Sequence, residues 1–305
     1  MIADDAQPPV LRERLALIEE LRVFAREELA MPGVRGFDTY VATGRRSVVW
    51  NVVAAPRFSV EPLRWCFPVA GCVSYRGYFS RAAAETFAQS LAARGNDTWV
   101  YGVSAYSTLG WFRDPVLDTW AFRSEIAVAA LVFHEFAHQM AWSAGDTAFS
   151  EAYAQVVERE GVRRWLTARG EPERVDAWLR GQSIDAEFAA MVQRGRARLA
   201  EVYAVPLDDT ERSRRKAAEI NRLRREYADR SRQWPPEERR DQWMGGGLDN
   251  ARLASVANYE ERAPALQALL ARQGGDLAAF HAEARRIAAL APAARAAELD
   301  ALTVR

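Results

Sequence analysis

Residues 124–142 read SEIAVAALVFHEFAHQMAW, and this stretch carries the strongest structural signal in the chain. Apolar, helix-compatible residues precede an H-E-x-x-H motif at 134–138. On a helix, residues i and i+4 lie on one face about one turn apart, so the imidazoles of His134 and His138 can reach a single cation. Glu135 lies about 100° around the helix from the first histidine, where it can address a water without binding the metal. The motif therefore predicts a zinc site with Glu135 as general base.

The third metal ligand is expected on the next helix, which begins near residues 147–150 after a turn. Glu151 is the favoured ligand, because the alanines around it let two helices pack closely. Glu158 lies seven residues further on and on nearly the same helix face. It competes for the ligand position or serves as the partner of a histidine N–H. The alternative for Glu151 is an acidic residue favoured by the helix dipole near an N-terminus.

Two imidazoles and one carboxylate form a ligand set that suits Zn²⁺, and manganese or cobalt is compatible with it. The chain contains only three histidines, so the placement of two of them four residues apart is informative. The alternative is a pair of hydrogen-bonded core histidines on a packed helix. The glutamate after the first histidine favours the metal site.

The composition excludes several function classes. The chain has 305 residues, 49% of them hydrophobic, with 41 Lys and Arg against 41 Asp and Glu. A formal net charge of zero gives no general attraction to nucleic acid, so no nucleic-acid partner is expected. The charged run at 211–232 is interpreted as a solvated helix face, because acidic residues are interleaved with its arginines. No apolar run of about 18 residues occurs, so no transmembrane segment is predicted.

The residue pattern divides the chain into four regions. An amphipathic helix is predicted within 1–37, and 38–123 is rich in strand-forming residues separated by Gly and Pro. The two helices with the motif and the glutamates occupy 124–170, and 171–305 is a helical C-terminal part. The predicted class is α+β, with a small mixed or antiparallel sheet followed by a large, mostly helical body. One catalytic unit is expected over 1–305.

Weaker candidates lie outside the motif helices. Tyr106 and Ser107 belong to a segment with small and polar residues that could be a strand beside the cleft, where a peptide pairs by main-chain hydrogen bonds. Tyr106 could also donate its hydroxyl to a developing oxyanion. A sheet edge without a ligand is an equal alternative. His281 could stabilise a transition state, although a surface or packing histidine is the favoured interpretation. For Cys66 and Cys72, a disulfide and two free thiols are equal alternatives.

Several long strings in the chain resemble one known family. They are similar to the bacterial family of putative aminopeptidases, zinc metallopeptidases of the Glu-type zincin kind. The strings are WNVVAAPRFSVEPLRWCFPVAGCVSYRGYF, GVSAYSTLGWFRDPVLDT, LVFHEFAHQ and DTAFSEAYAQVVEREGVRRWL. The resemblance continues into WMGGGLDNARLASVANY and GGDLAAFHAEARRIAAL, so it covers nearly the whole chain. It implies a zincin-like fold, zinc held by His134, His138 and Glu151, and Glu135 as catalytic base.

The resemblance also bears on location. Members commonly begin with a lipoprotein-type leader that attaches them to the bacterial envelope. The first residues here, MIADDAQPPVLRERL, lack the pattern of a signal peptide. The expected location is therefore the envelope or periplasm, with a lipid anchor, if a leader has been removed, and otherwise the cytoplasm. Members often read F-N-E-S-F-A where this chain reads FSEAYA at 149–154, and the glutamate is retained.

These observations together predict a zinc-dependent aminopeptidase that acts on a peptide or protein substrate. Aminopeptidase action needs an acidic group near the cleft to bind the substrate ammonium, and Glu125, Asp114 and Glu158 are candidates. An endopeptidase is one alternative. The other is a zincin-fold binding or scaffold protein with little or no turnover, although such a protein has no need of Glu135.

Overall fold

The computed structural model describes residues 7–67, 71–105, 113–257 and 262–303. Over these ranges the chain is mostly helical and has three small sheets, which confirms the predicted α+β class. The sheets are smaller and more separate than the single sheet that the sequence predicts. Within the same ranges, no helix combines the length and the apolar character that crossing a membrane requires.

The elements are numbered in chain order. The helices are α1 (Pro9–Glu27), α2 (Arg81–Ala92), α3 (Asp118–Ala121), α4 (Glu125–Met140), α5 (Thr147–Ala168), α6 (Pro172–Ala204), α7 (Asp209–Ser231), α8 (Asp241–Gly245), α9 (Asn250–Ala257), α10 (Ala263–Arg272), α11 (Leu277–Ala288) and α12 (Pro292–Thr303). The strands are β1 (Tyr40–Val41), β2 (Val49–Pro56), β3 (Trp65–Phe67), β4 (Gly71–Val73), β5 (Arg76–Tyr78), β6 (Asn96–Val103) and β7 (Val116–Leu117).

The chain divides into two compact units. The first unit comprises Met1–Val49, Gly102–Val175 and Glu261–Arg305, and the second comprises Trp50–Tyr101 and Asp176–Glu260. Both motif helices, α4 and α5, belong to the first unit. The expectation of one catalytic unit over the whole chain stays a prediction.

In the first unit, α1 packs against α4. One face of α1 is buried along its length, as the apolar spacing predicts, and it includes Ile18, Leu21 and Ala25. The ring of Phe24 lies 6.0 Å from that of Phe133 on α4. Phe133 is thus contacted by α1, and α5 approaches the same ring.

The helices α4 and α5 contact each other closely. Gly161 is the reason that α5 can approach so near. A Cβ atom at this position would lie 2.8 Å from Phe133 Cδ2 and 2.9 Å from Leu29 Cδ1. Both distances are shorter than ordinary carbon contacts, which begin at about 3.5 Å. The alanines beside Glu151, Ala152 and Ala154, are fully buried, in agreement with the predicted close packing.

The second unit contains a three-stranded sheet in the order β5-β2-β6. The strands β2 and β5 are antiparallel, with Trp50 opposite Tyr78. One cluster of buried side chains joins this sheet to α2 and includes Val52, Ala84 and Leu91. The charged run predicted as a solvated helix face forms α7, in which Glu211 pairs with two arginines of its own helix.

The second unit also contains the two cysteines. The strands β3 and β4 form an antiparallel pair in which Cys66 lies directly opposite Cys72. Their sulfur atoms are bonded, and their Cα atoms lie 3.9 Å apart. Of the two alternatives that the sequence leaves open, the structure has the disulfide. The segment between α7 and α9 includes the short helix α8.

Candidate metal centre

The helix α4 presents both motif histidines on one side. Ser124 caps its start, because its hydroxyl oxygen accepts a hydrogen bond from the Ala127 N–H at 3.3 Å. Apolar residues on α4, including Val132 and Phe136, are buried and hold the helix in the core. The rings of His134 and His138 lie edge to face, with centroids 4.8 Å apart. The predicted spacing of one helical turn is therefore present.

The helix α5 brings Glu151 to the same point. The carboxylate of Asp146 caps α5 by accepting a hydrogen bond from the Phe149 N–H at 3.0 Å. In the following turn, the Glu151 carboxylate faces both histidines. Its Oε2 lies 3.3 Å from His134 Nε2, and its Oε1 lies 3.7 Å from His138 Nε2. One ligand atom from each of the three residues lies within 4.8 Å of the others, so this cluster could hold a metal ion.

Glu158 contacts the other ring nitrogen of His134. The Nδ1–H of His134 donates a hydrogen bond to Glu158 Oε2 at 3.0 Å. A carboxylate can only accept, so this bond fixes a proton on Nδ1. In the neutral imidazole, the lone pair of His134 is then on Nε2, the atom that faces Glu151. The contact with a histidine N–H agrees with the second of the two roles predicted for Glu158.

The charges in the cluster favour a cation between the carboxylates. Burial opposes protonation of His134, but hydrogen bonds and negative charge from Glu151 and Glu158 outweigh it, and the pKa of His134 lies well above its usual range. Burial would raise the pKa of Glu151, but the hydrogen bond from His134 holds that pKa below its usual value. In the protein without an ion, the imidazolium of His134 thus supplies the positive charge that the carboxylates require.

His138 is in the opposite state. Burial, together with the charge on His134, lowers the pKa of His138 to about 4. It is therefore neutral at pH 7 and retains a nitrogen lone pair for a cation. Among the described residues, its Nδ1 is buried without a hydrogen-bond partner. The ring of Trp142 lies 5.3 Å from that of His138, edge to face. Trp142 was not among the residues predicted from the sequence, and it lies four residues after His138, just beyond the end of α4.

The donor set fits a zinc ion. Two imidazole nitrogens and one carboxylate are a ligand set found in catalytic zinc sites, which leave a further position open. The ligand atoms already converge, and the cluster contains a neutral imidazole and an ionised carboxylate, the forms that bind metals. Glu135 follows His134 on α4 and is partly exposed.

The remaining candidates have different outcomes. Tyr106 and Ser107 lie outside the described residues. His281 is buried, and both of its ring nitrogens have partners: its Nε2–H donates to Leu29 O at 2.9 Å, and its Nδ1 accepts from the Tyr153 hydroxyl at 2.6 Å. The packing interpretation of His281 is therefore confirmed. Glu125 is paired with Arg174 at 3.2 Å.

The site thus consists of an H-E-x-x-H motif on one helix and a carboxylate on the second helix that could complete a ligand set, an arrangement suited to metal-assisted hydrolysis. The family model described as "Putative aminopeptidase" matches residues 1–299. The chain therefore belongs to the putative aminopeptidase family. No curated protein and no solved structure matches the chain.

Proposed function

We propose that the chain is a zinc-dependent aminopeptidase with a zincin-like fold, in which His134, His138 and Glu151 hold the metal. The convergence of their ligand atoms within 4.8 Å carries this proposal. Membership of the putative aminopeptidase family supports a peptide as the substrate. Two nitrogens and one oxygen donor favour zinc over magnesium or calcium, which prefer oxygen ligands throughout.

Bound zinc would supply a lowered pKa for the attacking water and polarisation of the peptide carbonyl. Glu135 is the general base in this proposal. Its carboxylate accepts a proton from the attacking water and later passes that proton to the leaving amine. The next position along the helix from His134 suits this task, because an offset of about 100° around the helix directs its side chain to the adjoining side and away from a ligand position.

Glu158 orients a ligand. Its hydrogen bond with Nδ1 of His134 holds the imidazole in the tautomer and rotation that direct Nε2 toward Glu151. Glu125 is not suited to bind the substrate ammonium. It precedes His134 by nine residues, about 13 Å along the helix axis, and is paired with Arg174.

The test combines metal content with hydrolysis. Purified wild type is compared with Glu151→Gln, Glu135→Gln and the matched control Glu160→Gln, which changes a glutamate of α5 that pairs with Arg163 and Arg164 instead. We expect about one zinc per chain in wild type, Glu135→Gln and the control, and a loss of zinc in Glu151→Gln. Hydrolysis should fall by about 10²–10⁴ in Glu135→Gln at unchanged zinc content.

The substrates are peptides with free and with acetylated N-termini. Removal of one residue from free N-termini only supports the aminopeptidase. Internal cleavage of both peptides contradicts it in favour of an endopeptidase. Zinc binding without cleavage of any peptide contradicts the proposed peptidase activity and favours the alternative of a binding or scaffold protein.

A further inference from the structure

Two hydrogen bonds, one buried and one partly buried, anchor α5 on both sides of Glu151. The first is made by Tyr153, which is fully buried and donates its hydroxyl to His281 Nδ1 at 2.6 Å. His281 lies on α11 and is itself held, because its Nε2–H donates to Leu29 O at 2.9 Å. The ring of Tyr153 also stacks on Phe280 of α11, with centroids 5.5 Å apart. These contacts connect the ligand-bearing turn of α5 to α11.

The second anchor is made by Arg295 of α12, which is 4% exposed. Its Nε–H donates to Asp146 Oδ2 at 2.7 Å, while the other oxygen of Asp146 caps α5. Its Nη1 donates to the carbonyl oxygens of Ala288 and Leu290 at 3.0 and 2.8 Å. Arg295 thus fixes the first residue of the ligand-bearing segment to the connection between α11 and α12.

The two anchors constrain different motions of α5. Tyr153 is two residues beyond Glu151 and so lies about 200° around the helix, facing away from α4. Its hydroxyl therefore resists rotation of α5 about its axis. Asp146 is at the cap, and its bond with Arg295 resists movement along the axis. A carboxylate about 5 Å from the axis moves about 1 Å when the helix rotates by about 10°. That exceeds the ~0.5 Å within which a functional group must be held.

We propose that Tyr153, His281 and Arg295 are positioning residues that set the metal affinity, because they fix the rotation and axial position of the turn that carries Glu151. They act through Glu151 and do not touch the metal themselves. This inference rests on the proposed metal site.

The test measures the dissociation constants of zinc and cobalt, each supplied alone, by competition with a chromophoric chelator on the full chain. Tyr153→Phe removes one hydroxyl and should raise the zinc dissociation constant about 10-fold, the lower end of the range for residues that bond a ligand directly, because Tyr153 acts through the helix that carries Glu151. Arg295→Met should raise it similarly. The matched control is Tyr203→Phe, which removes a hydroxyl bonded to Asn250 at 2.9 Å in the second unit and should leave zinc affinity unchanged.

Two variants of His281 separate its hydrogen bonds. His281→Asn retains an acceptor at the Nδ1 position, so it should keep much of the zinc affinity. His281→Gln retains a donor at the Nε2 position and loses the acceptor for Tyr153, so it should resemble Tyr153→Phe. General destabilisation would not discriminate between the two substitutions. Thermal unfolding of the metal-free variants shows how much stability each change costs.

A double-mutant cycle tests whether the effect of Tyr153 on zinc affinity depends on Glu151. A Glu151→Ala background keeps the two histidines, and Tyr153→Phe should not change the weak residual zinc dissociation constant that is titrated there at raised zinc concentration. The cobalt absorption spectrum should respond to Tyr153→Phe only when Glu151 is present. An unchanged zinc dissociation constant in Tyr153→Phe would overturn the inference while leaving the metal site intact. The same would hold if Tyr203→Phe weakened zinc binding equally. A wild type that binds no zinc would overturn the proposed function and this inference with it.

Discussion

Replacement of Glu158 by alanine should weaken zinc binding without removing any ligand. The Oε2 of Glu158 lies 3.0 Å from His134 Nδ1, and the Glu158 side chain is 24% exposed. A hydrogen bond with a charged partner in such a setting contributes about 1.5–3 kcal/mol. We therefore expect Glu158→Ala to raise the zinc dissociation constant about 10–100-fold. Glu158→Gln keeps an acceptor oxygen but loses the charge, so its effect should be smaller.

Protons compete with zinc for His134, and this competition gives the expected pH dependence. Because the pKa of His134 is raised by its two carboxylate partners, zinc must displace a proton until the pH exceeds that pKa. Removal of Glu158 lowers the pKa of His134, so it weakens the binding of the competing proton as well as the binding of zinc. The loss of affinity should therefore be largest at high pH and partly offset at lower pH.

The assay is a chelator competition titration at pH values below and above the pKa of His134, with Glu160→Gln as the control. Glu160 lies two residues beyond Glu158 on α5 and binds arginines instead of a histidine. Its substitution should leave the zinc affinity unchanged. If Glu158→Ala bound zinc as tightly as wild type at high pH, the orienting role of Glu158 would be wrong.

Three further predictions concern stability. Gly161→Ala should lower the thermal unfolding midpoint. Overpacking against Phe133 costs about 1–3 kcal/mol, which exceeds the gain of about 1 kcal/mol in helix propensity. An unchanged or higher midpoint would contradict the close packing of α5 on α4. The metal-free protein should lose stability in urea as the pH falls from about 6.5 toward 4, because folding lowers the pKa of His138 across that interval and the unfolded chain binds the proton more tightly; His138→Asn should show a smaller loss. Replacement of both Cys66 and Cys72 by serine should lower the free energy of unfolding by about 2 kcal/mol, because the disulfide closes a short loop in the unfolded chain. Alkylation of protein taken directly from cells should find no free thiol if the protein folds in an oxidising compartment.

The local signals in the sequence predict the helices and the spacing of the two motif histidines well. The spacing of four residues between His134 and His138 depends only on helix geometry, so it is visible without any tertiary information. The same holds for the buried face of α1 and for the turn that separates α4 from α5. The place of Glu151 near His134 and His138 follows from the short turn between the two helices and the small residues beside it, whereas its role as a metal ligand stays a prediction.

The contacts around the ligands depend on tertiary packing and are less visible. The helix face of Glu158 limits it to two roles, a metal ligand or the partner of a histidine N–H. The choice between these roles depends on the rotation of the His134 imidazole, which the sequence does not give. The bonds of Tyr153 with His281 and of Asp146 with Arg295 join residues 128 and 149 positions apart. No local pattern indicates such pairs. The split of the strands into separate sheets also depends on long-range pairing that alternation alone does not specify.

The measurement that tests the metal centre most directly is anomalous X-ray diffraction at the zinc edge, on crystals of the zinc-loaded protein. We expect one strong peak about 2.0–2.2 Å from Nε2 of His134, Nε2 of His138 and an oxygen of Glu151. A peak at other residues, or no peak in crystals of protein that hydrolyses peptides, would contradict this expectation.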